Sequence, residues 1–388
     1  MGSKNHTCPS HDLSENATEA IFGSITFFQF DKILSGSCVA VACIVIFIHL
    51  FSHANRLCSP SEQVKIMRIS LLVPFYSLFC FLSICFPEAD VYLDPWLEVF
   101  QANSLCAFFL LMCDFISPNS EKRSDFFAKM TVLDKKSQAG KVGGLSWFRS
   151  RWIAVFQYPI IALLSAIATD ISEAVGTYCQ YKIEPYYTRL WITIISQTSL
   201  TIAVMSVLVF VKTLKSELAV HKPMLKLVAF KLIVFLSFVQ SIIFLILQNT
   251  SSLNPTSKLT YADLHIGIPA LLSCIEMVPI SAFMAWAYSV QPYLLARGAD
   301  IEGSSGHADI PRSYQGGFLG IRAFLAMLNP RETIEGIVFA FYMITKSHEP
   351  SGSSDFGHDL DHTYHSNHGI MRSNQSGYQA LNGENNAF

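Results

Sequence analysis

A long apolar segment, LHIGIPALLSCIEMVPISAFMAWAYSV, runs from Leu264 to Val290 and carries one acid, Glu276, close to its middle. About 20 apolar residues cross the hydrocarbon core of a bilayer as a helix, so this segment predicts a transmembrane span. A carboxylate at that depth costs roughly 2.5–3.5 kcal/mol, which keeps Glu276 away from lipid. Two interpretations stay open: a protonated acid hydrogen-bonded to a neighbouring helix, or a residue on the path of a substrate or ion.

Six other segments have a similar length and composition. The predicted spans are 33–54, 67–87, 97–117, 152–171, 190–212, 226–249 and 264–290. Only 14% of the residues are charged, whereas soluble domains have about 25%. We therefore predict an all-α polytopic membrane protein with a seven-helix transmembrane bundle, whose first partner is the lipid bilayer.

The basic residues predict the orientation of this bundle. Segments 55–68, 118–151 and 212–226 hold 15 Lys and Arg, whereas the N-terminus and the alternate loops hold 5. Because cytosolic loops carry the excess of basic residues, we expect a non-cytosolic N-terminus and a cytosolic C-terminus. The sequons at Asn5, Asn16 and Asn249 then lie on the side where glycosylation occurs. Cys8 and Cys179 lie on the same side and could form a disulfide.

Four regions follow from this topology: a polar non-cytosolic segment 1–32, the transmembrane domain 33–293, a cytosolic juxtamembrane segment 294–346 and a tail 347–388. The first region lacks the pattern of a cleaved signal peptide. The juxtamembrane segment has two apolar runs, 317–328 and 332–344, around the breaker Asn329-Pro330. We expect amphipathic helices that lie on the cytosolic face of the membrane or pack on the loops. The tail has the composition of a disordered segment.

Polar residues inside the spans are the candidates for a substrate path. They are Glu276, Gln240, Lys231, His49, Asp114, Gln197 and Asn103. From the helical rise, Gln240 and Glu276 both lie about 21 Å from the cytosolic end, which predicts a contact between them. Lys231 lies about 13 Å lower, at the level of His49 and Asp114, or it snorkels to the interface.

Gln197 and Asn103 make the outer halves of spans five and three polar, and interhelical hydrogen bonds are the simpler explanation. Pro74, Pro159 and Pro279 are predicted to interrupt spans two, four and seven, either as plain kinks or beside a cavity.

Several function classes lack support in the sequence. The chain has no GxxxxGK[ST], GxSxG or HExxH motif and a net charge of −2, so we predict no enzyme, no cofactor and no nucleic-acid partner. Five tail histidines between His348 and His368 have mixed spacing, and we predict no metal site. A seven-span receptor is disfavoured because span three ends in Asp114-Phe115-Ile116 rather than Asp-Arg-Tyr.

The spans carry short blocks that resemble one family. The blocks are Arg68-Ile69 with Val73-Pro74-Phe75-Tyr76-Ser77, Asp94 with Phe100-Gln101-Ala102, Phe156-Gln157-Tyr158, Pro223 to Gln240, Cys274-Ile275-Glu276-Met277, and Tyr288-Ser289 with Pro292-Tyr293. They are similar to the organic solute transporter alpha family, which includes transmembrane protein 184 and fungal and plant relatives. The chain departs from the pattern at Gln101, at the missing basic-Pro pair of span four, and at Ile194-Ile195-Ser196.

The resemblance implies a facilitative transporter of amphipathic organic solutes, such as steroid- or bile-acid-like anions. It also implies a vacuolar, endosomal or plasma membrane. The alternative is a non-transporting endomembrane scaffold, whose tail recruits autophagy or trafficking proteins through Tyr378 and Leu381. A single-span partner subunit, a homo-oligomer and an autophagy ubiquitin-like modifier stay open as partners.

Overall fold

The fold is known from a computed structural model. The structure describes residues 8, 13, 17–21, 23–133, 141–180, 184–249, 254–293 and 314–346. Of the predicted modification and docking residues, Asn5, Asn16, Tyr378 and Leu381 lie outside these ranges. Asn249 is the last residue of a helix, and its side chain is also outside the described part.

Helices account for most of the described chain. They are α1 (Phe27–Ala54), α2 (Pro60–Ser70), α3 (Leu72–Cys85), α4 (Asp90–Ile116), α5 (Ser120–Lys129), α6 (Gly144–Ala174), α7 (Thr188–Thr213), α8 (Lys215–Leu218), α9 (Pro223–Asn249), α10 (Ile268–Ala287), α11 (Ile321–Leu328) and α12 (Arg331–Lys346). Strands β1 (Thr131–Leu133) and β2 (Lys141–Gly143) form a small antiparallel hairpin in which Val132 faces Val142. A π-helical turn, Asp263–Gly267, leads into α10.

Six helical stretches of the described chain are long and apolar enough to cross a membrane. They are Phe27–Ala54, Pro60–Cys85, Pro87–Ile116, Gly144–Ala174, Thr188–Thr213 and Asp263–Tyr293. The all-α polytopic membrane fold is therefore confirmed. Helix α9 covers the sixth predicted span with 27 helical residues, but it is not among the six, so seven spans and the orientation stay predictions.

Local sequence explains where several helices begin and break. Thr26 and Gln29 form a reciprocal capping box that starts α1, which satisfies two free backbone N–H groups. Leu71 separates α2 from α3 three residues before Pro74, because proline removes a donor and clashes with the preceding turn. Helices α6 and α10 continue through Pro159 and Pro279, so neither proline ends a helix, and the predicted kinks stay predictions.

Helix α6 lies at the centre of one half of the bundle, between α4 and α7. Its aromatic residues pack with those of α4, α5 and α7 in one cluster. The cluster comprises Phe109, Phe127, Trp147, Phe148, Trp152, Phe156 and Phe210. In the other half, α1 packs on α3 and α10, and α9 packs on α10.

The two ends of the bundle are covered by different segments. At the end that we call the outer end, a disulfide joins Cys8 to Cys179, with a Cα–Cα distance of 5.6 Å. At the opposite, inner end, α11 contacts α1 and α2, and α12 contacts α4 and α6. The predicted helices of 294–346 therefore pack on the bundle itself. Their other faces, with Leu325, Leu328, Val338 and Phe341, are exposed and apolar.

Candidate functional site

The predicted partners Glu276 and Gln240 are neighbours in the structure. The Ser273 hydroxyl donates to Gln240 Oε1 at 3.0 Å. The Glu276 carboxyl lies near the same amide, whose Nε2 is buried without a hydrogen-bond partner in the described residues. Gln240 is buried, whereas Glu276 is half-buried. This group of three polar side chains between α9 and α10 can exchange hydrogen bonds, and at Glu276 a proton, with a polar solute.

His49 belongs to a separate cluster beside the inner end. Its ring packs edge-on against the His53 ring at 4.8 Å, and its Nε2 has no hydrogen-bond partner in the described residues. His53 Nε2 lies 2.9 Å from the Tyr288 carbonyl oxygen, and Gln63 Nε2 lies 3.5 Å from its Nδ1. Helices α1, α2 and α10 therefore meet around two buried imidazoles.

Lys231 stands apart from the other candidates. It is half-buried, and its ammonium lies 5.7 Å from the centre of the Phe230 ring. The described residues give it no ion pair. The shared level with His49 and Asp114 therefore does not become a direct pairing.

Asp114 is the centre of a buried group of charges. Its carboxylate accepts from Lys65 at 2.6 Å and from Arg123 at 3.1 Å. Lys65 also lies 3.4 Å from Glu332 of α12, which pairs with Arg68 as well. We call Lys65, Arg68, Asp114, Arg123 and Glu332 the inner charge cluster.

The inner charge cluster fastens the C-terminal helices to the bundle. Arg68 donates to the carbonyl oxygens of Met327 at 3.0 Å and Ala326 at 2.8 Å, which satisfies the last turn of α11. Burial by itself raises the pKa of Glu332. The Lys65 ammonium and the Arg68 guanidinium outweigh burial and hold this pKa below its ordinary value. Each carboxylate in the cluster faces two cations, so the cluster stabilises the docked state of α12.

Asn103 takes part in the same docking. Its Oδ1 accepts from the Thr333 hydroxyl of α12 at 2.7 Å, and the Trp152 indole donates to the Gly336 carbonyl oxygen at 2.9 Å. Asn103 therefore contacts the C-terminal helix α12. Its side chain forms an interhelical hydrogen bond, which is the simpler of the two explanations considered for a polar residue in this span.

Gln197 leads to a set of acids near the outer end. Its Nε2 lies 3.5 Å from Glu98 Oε1. Glu98 follows Asp90 and Asp94 on α4 at intervals of four residues. Neighbours on a helix face are four residues apart, so the three carboxylates form a line with steps of about 6 Å. We call Asp90, Asp94 and Glu98 the acid row.

The middle residue of the acid row, Asp94, is exposed, whereas Asp90 and Glu98 are half-buried. Tyr178, in the loop after α6, faces the row. Burial, partly offset by Arg189, raises the pKa of Tyr178 to about 12, and the Asp94 carboxylate also raises it. Tyr178 is therefore a neutral phenol that can donate a hydrogen bond.

Sequence reasoning missed most of the acid row and of the inner charge cluster. For the row, acids at positions 90, 94 and 98 with helical spacing were a usable signal. Asp90 and Asp94 precede the predicted span 97–117, because their polarity lowers the hydropathy at this end of the helix. For the cluster, Glu332 and Lys65 lie far apart in sequence, and no periodicity joins them.

Comparisons with known proteins match the membrane-spanning part of the chain. The model of the family described as Organic solute transporter Ostalpha matches residues 32–293. A transmembrane protein 184 homolog of Dictyostelium discoideum is 28% identical over 272 residues, which cover 68% of this chain and 52% of that protein. A vacuole membrane protein of Schizosaccharomyces pombe is 25% identical over 268 residues, covering 67% of this chain and 62% of the relative.

A LAZ1 homolog of Arabidopsis thaliana is 26% identical over 285 residues, covering 67% of this chain and 58% of the relative. The chain thus spans about half to three fifths of the length of these relatives. No solved structure matched. The family match covers the chain from the start of α1 to the segment after α10, and this integral membrane protein belongs to the organic solute transporter alpha family.

Proposed function

We propose that this chain is a facilitative transporter of amphipathic organic solutes, with seven spans and a non-cytosolic N-terminus. The observation that carries the proposal is the Glu276–Gln240–Ser273 group, which lies inside the region of the family match. A half-buried acid within a membrane helix is costly unless it has a partner or a function. Gln240 supplies one neighbour, and the exposed part of Glu276 is free to meet a solute.

The topology of the proposal has independent support at the outer end. A disulfide such as Cys8–Cys179 persists in oxidising compartments and is rare in the cytosol. This agrees with the excess of basic residues in the loops of the inner end. The proposed membrane is vacuolar, since one relative from yeast is named a vacuole membrane protein.

The charge class of the solute is the finer part of the proposal. The resemblance implies anions such as sulfated sterols or conjugated bile acids. Cations that could attract such anions, Lys226 and Lys231, lie in the inner half of α9. The solute would meet them after passing the polar group at Glu276 from the outer end.

Tracer counterflow in proteoliposomes tests the transport proposal. The vesicles hold this chain alone and are preloaded with unlabelled sulfated sterol, and uptake of the labelled compound is followed. We expect saturable exchange, with a conjugated bile acid competing for it. Exchange no faster than in protein-free vesicles, with and without a co-expressed single-span subunit, would contradict the proposal.

A further inference from the structure

Helix α11 rises from the inner end of the bundle, beside α1 and α2. A methyl group at Gly320, just before α11, would lie 2.7 Å from the side chain of Ala54, the last residue of α1. The other end of α11 is held by Arg68, which binds the Ala326 and Met327 carbonyl oxygens. Arg68 lies eight residues after the start of α2, or about 12 Å towards the outer end. Helix α11 therefore runs from the inner end into the body of the bundle.

Helix α12 begins at this depth rather than at the inner end. Thr333, in its first turn, donates its hydroxyl to Asn103 at 2.7 Å. Asn103 lies thirteen residues before Ile116, the last residue of α4, which corresponds to about 20 Å along the helix. The two side chains and their hydrogen bond span less than about 9 Å. The first turn of α12 therefore lies at least about 10 Å inside the inner end of α4.

From there α12 runs back towards the inner end along α6. Gly336 lies against the Phe156 ring, and its carbonyl oxygen accepts from the Trp152 indole at 2.9 Å. Phe339, three residues later, packs edge-on against Trp152, with the ring centres 5.4 Å apart. Because α6 runs outward from the inner end, Trp152 lies one turn nearer to that end than Phe156. The two helices thus form a hairpin whose tip, Asn329-Pro330, is its deepest point.

The polar groups at the tip of the hairpin are paired. Asn329 Oδ1 accepts from the Arg331 backbone N–H at 3.0 Å, and the Arg331 guanidinium pairs with Glu335 at 2.7 Å. The Ile334 backbone N–H donates to the Pro330 carbonyl oxygen at 3.1 Å. Inside a membrane, each unsatisfied backbone polar group costs several kcal/mol. These hydrogen bonds make the tip compatible with a position at membrane depth.

The faces of the hairpin that turn away from the bundle are apolar. Six side chains, spaced at intervals of three and four residues along each helix, are more than half exposed: Ile321, Leu325 and Leu328 on α11, and Ile334, Val338 and Phe341 on α12. We call these six the apolar stripe. Arg322 is exposed in the first turn of α11, nearest to the inner end, where an arginine can reach the lipid phosphates.

The neighbouring helices continue this apolar surface. On α1, beside which α11 rises, Phe47 and Ile48 are 60% exposed, about two turns before Ala54. On α6, Leu163 and Leu164 are exposed further out than the contact with α12. Both helices are long and apolar enough to cross a membrane, so these faces meet lipid. The apolar stripe extends the lipid-facing surface of the bundle towards the inner end.

We propose that α11 and α12 form a re-entrant hairpin, which enters the inner half of the membrane and binds the acyl chains of the inner leaflet through the apolar stripe. The inner charge cluster holds the hairpin on the bundle from the opposite side. The depth of Thr333 and the continuity with α1 and α6 assign the stripe to lipid rather than to a second copy or a cytosolic protein. The proposal stands whether or not the chain transports solutes.

Quenching of a fluorophore by brominated lipid tests this proposal. A single cysteine replaces Leu328, at the tip, or Phe341, nearer to the inner end, in the full-length protein without its other free cysteines. Each variant is labelled with an environment-sensitive dye and reconstituted in phosphatidylcholine vesicles, with bromine near the methyl end or near the carboxyl end of the acyl chains. We expect Leu328→Cys to lose about half of its emission to the deep bromine, because the tip lies furthest into the hydrocarbon core. The deep bromine should quench Phe341→Cys less.

Two control positions calibrate the quenching. Phe47→Cys, on the lipid-facing side of α1, should be quenched, whereas Ala128→Cys, exposed on α5, should not. Size-exclusion profiles establish that each variant is folded, and Leu325→Cys and Val338→Cys provide a second pair on the stripe if a first variant fails to fold.

Three results would overturn the re-entrant hairpin. Emission from Leu328→Cys like that from Ala128→Cys would place the tip in water. Emission typical of an apolar site but without bromine quenching would mean that protein, such as a second copy, covers the stripe. Equal quenching profiles at Leu328 and Phe341 would mean that the helices lie flat on the membrane. Because flux is not measured, a failure here is distinct from a failure of the transport proposal.

Discussion

The inner charge cluster and the acid row are both groups of charged side chains within the bundle, but they differ in how their charges are balanced. In the cluster, Asp114 and Glu332 each face two cations within 3.4 Å. In the row, Arg189 is the cation near Asp94, and none of the three carboxylates forms an ion pair in the described residues. Balanced charges hold helices together, whereas unbalanced ones need a ligand or a proton, so the two ends of this bundle have different roles.

Neutralising one acid at each end gives the largest expected contrast. Asp114→Asn leaves Lys65 and Arg123 buried without their shared carboxylate. Breaking a buried pair in this way costs about 3–5 kcal/mol of stability. Asp94→Asn removes a carboxylate that has no pair, and its effect should stay within about 0.5 kcal/mol. Melting temperatures of the two variants decide this, and a similar loss in both would remove the distinction between the ends.

The packing of α12 offers the next largest effect. A methyl group at Gly336 would strike the Phe156 ring, which is buried and held by Phe109 and Trp152. Gly336→Ala should therefore destabilise the docked α12 by about 1–3 kcal/mol. Cross-linking between cysteines placed at Asn103 and Thr333 measures the docking and should decline. Gly143→Ala, where a methyl group meets open space, is the matched control and should cross-link as well as the parent protein.

The docking of α12 should also depend on pH, and the ion pairs of the inner charge cluster determine that it weakens in acid. The folded pKa of Glu332 is lower than its unfolded value of about 4.5. The stabilising contribution of this carboxylate is therefore fully present above pH 4.5 and is lost as the pH falls through the lower folded pKa. The protection factors of the α12 amides, which are corrected for the intrinsic pH dependence of exchange, should be high at pH 7 and fall below pH 4.5. In Glu332→Gln the protection should be weaker at pH 7 and insensitive to acid over that range; an unchanged acid response would contradict the assignment.

The smallest effect on stability is expected at Glu276, although its effect on function is large. Glu276→Gln keeps the shape of a half-buried side chain, so the free energy of unfolding should change by less than about 0.5 kcal/mol, as measured by thermal unfolding. Counterflow of sulfated sterol should nevertheless decrease or lose its pH dependence. Gln240→Leu tests the neighbouring amide in the same assay. Normal exchange by the Glu276 variant at every pH would exclude the acid from the path.

The helices could be predicted from the sequence because long apolar runs determine them locally. The errors lie where polar residues continue a helix beyond its apolar run. Span three was predicted from residue 97, whereas α4 begins at Asp90, because the helix continues outward through the polar residues Asp90 and Asp94. Likewise α6 begins eight residues before the predicted span, in a polar turn. The proximity of Gln240 to Glu276 could be predicted, because the helical rise determines the depth of each residue in the membrane.

The partners of the other polar residues could not be predicted in this way. Depth alone placed Lys231 at the level of Asp114, but it does not define the direction in which either side chain points. The actual partners of Asp114 are Lys65 and Arg123, on helices that meet α4 only after the bundle forms. Asn103 likewise pairs with Thr333, 230 residues later in the chain, and no sequence pattern links the two.

The most direct test of the difference between the two ends is the reactivity of a cysteine at position 197. Gln197 is exposed beside Glu98, so Gln197→Cys reports the local potential while the acid row stays intact. The protein is studied in sealed vesicles, in a background without other reactive thiols, with two membrane-impermeant reagents of similar size and opposite charge. We predict that the cationic reagent reacts at least about tenfold faster from the outer side, and that Asp94→Asn reduces this preference. Equal rates for the two reagents, or a faster reaction of the anionic one, would contradict an unbalanced negative charge of the acid row at the outer end.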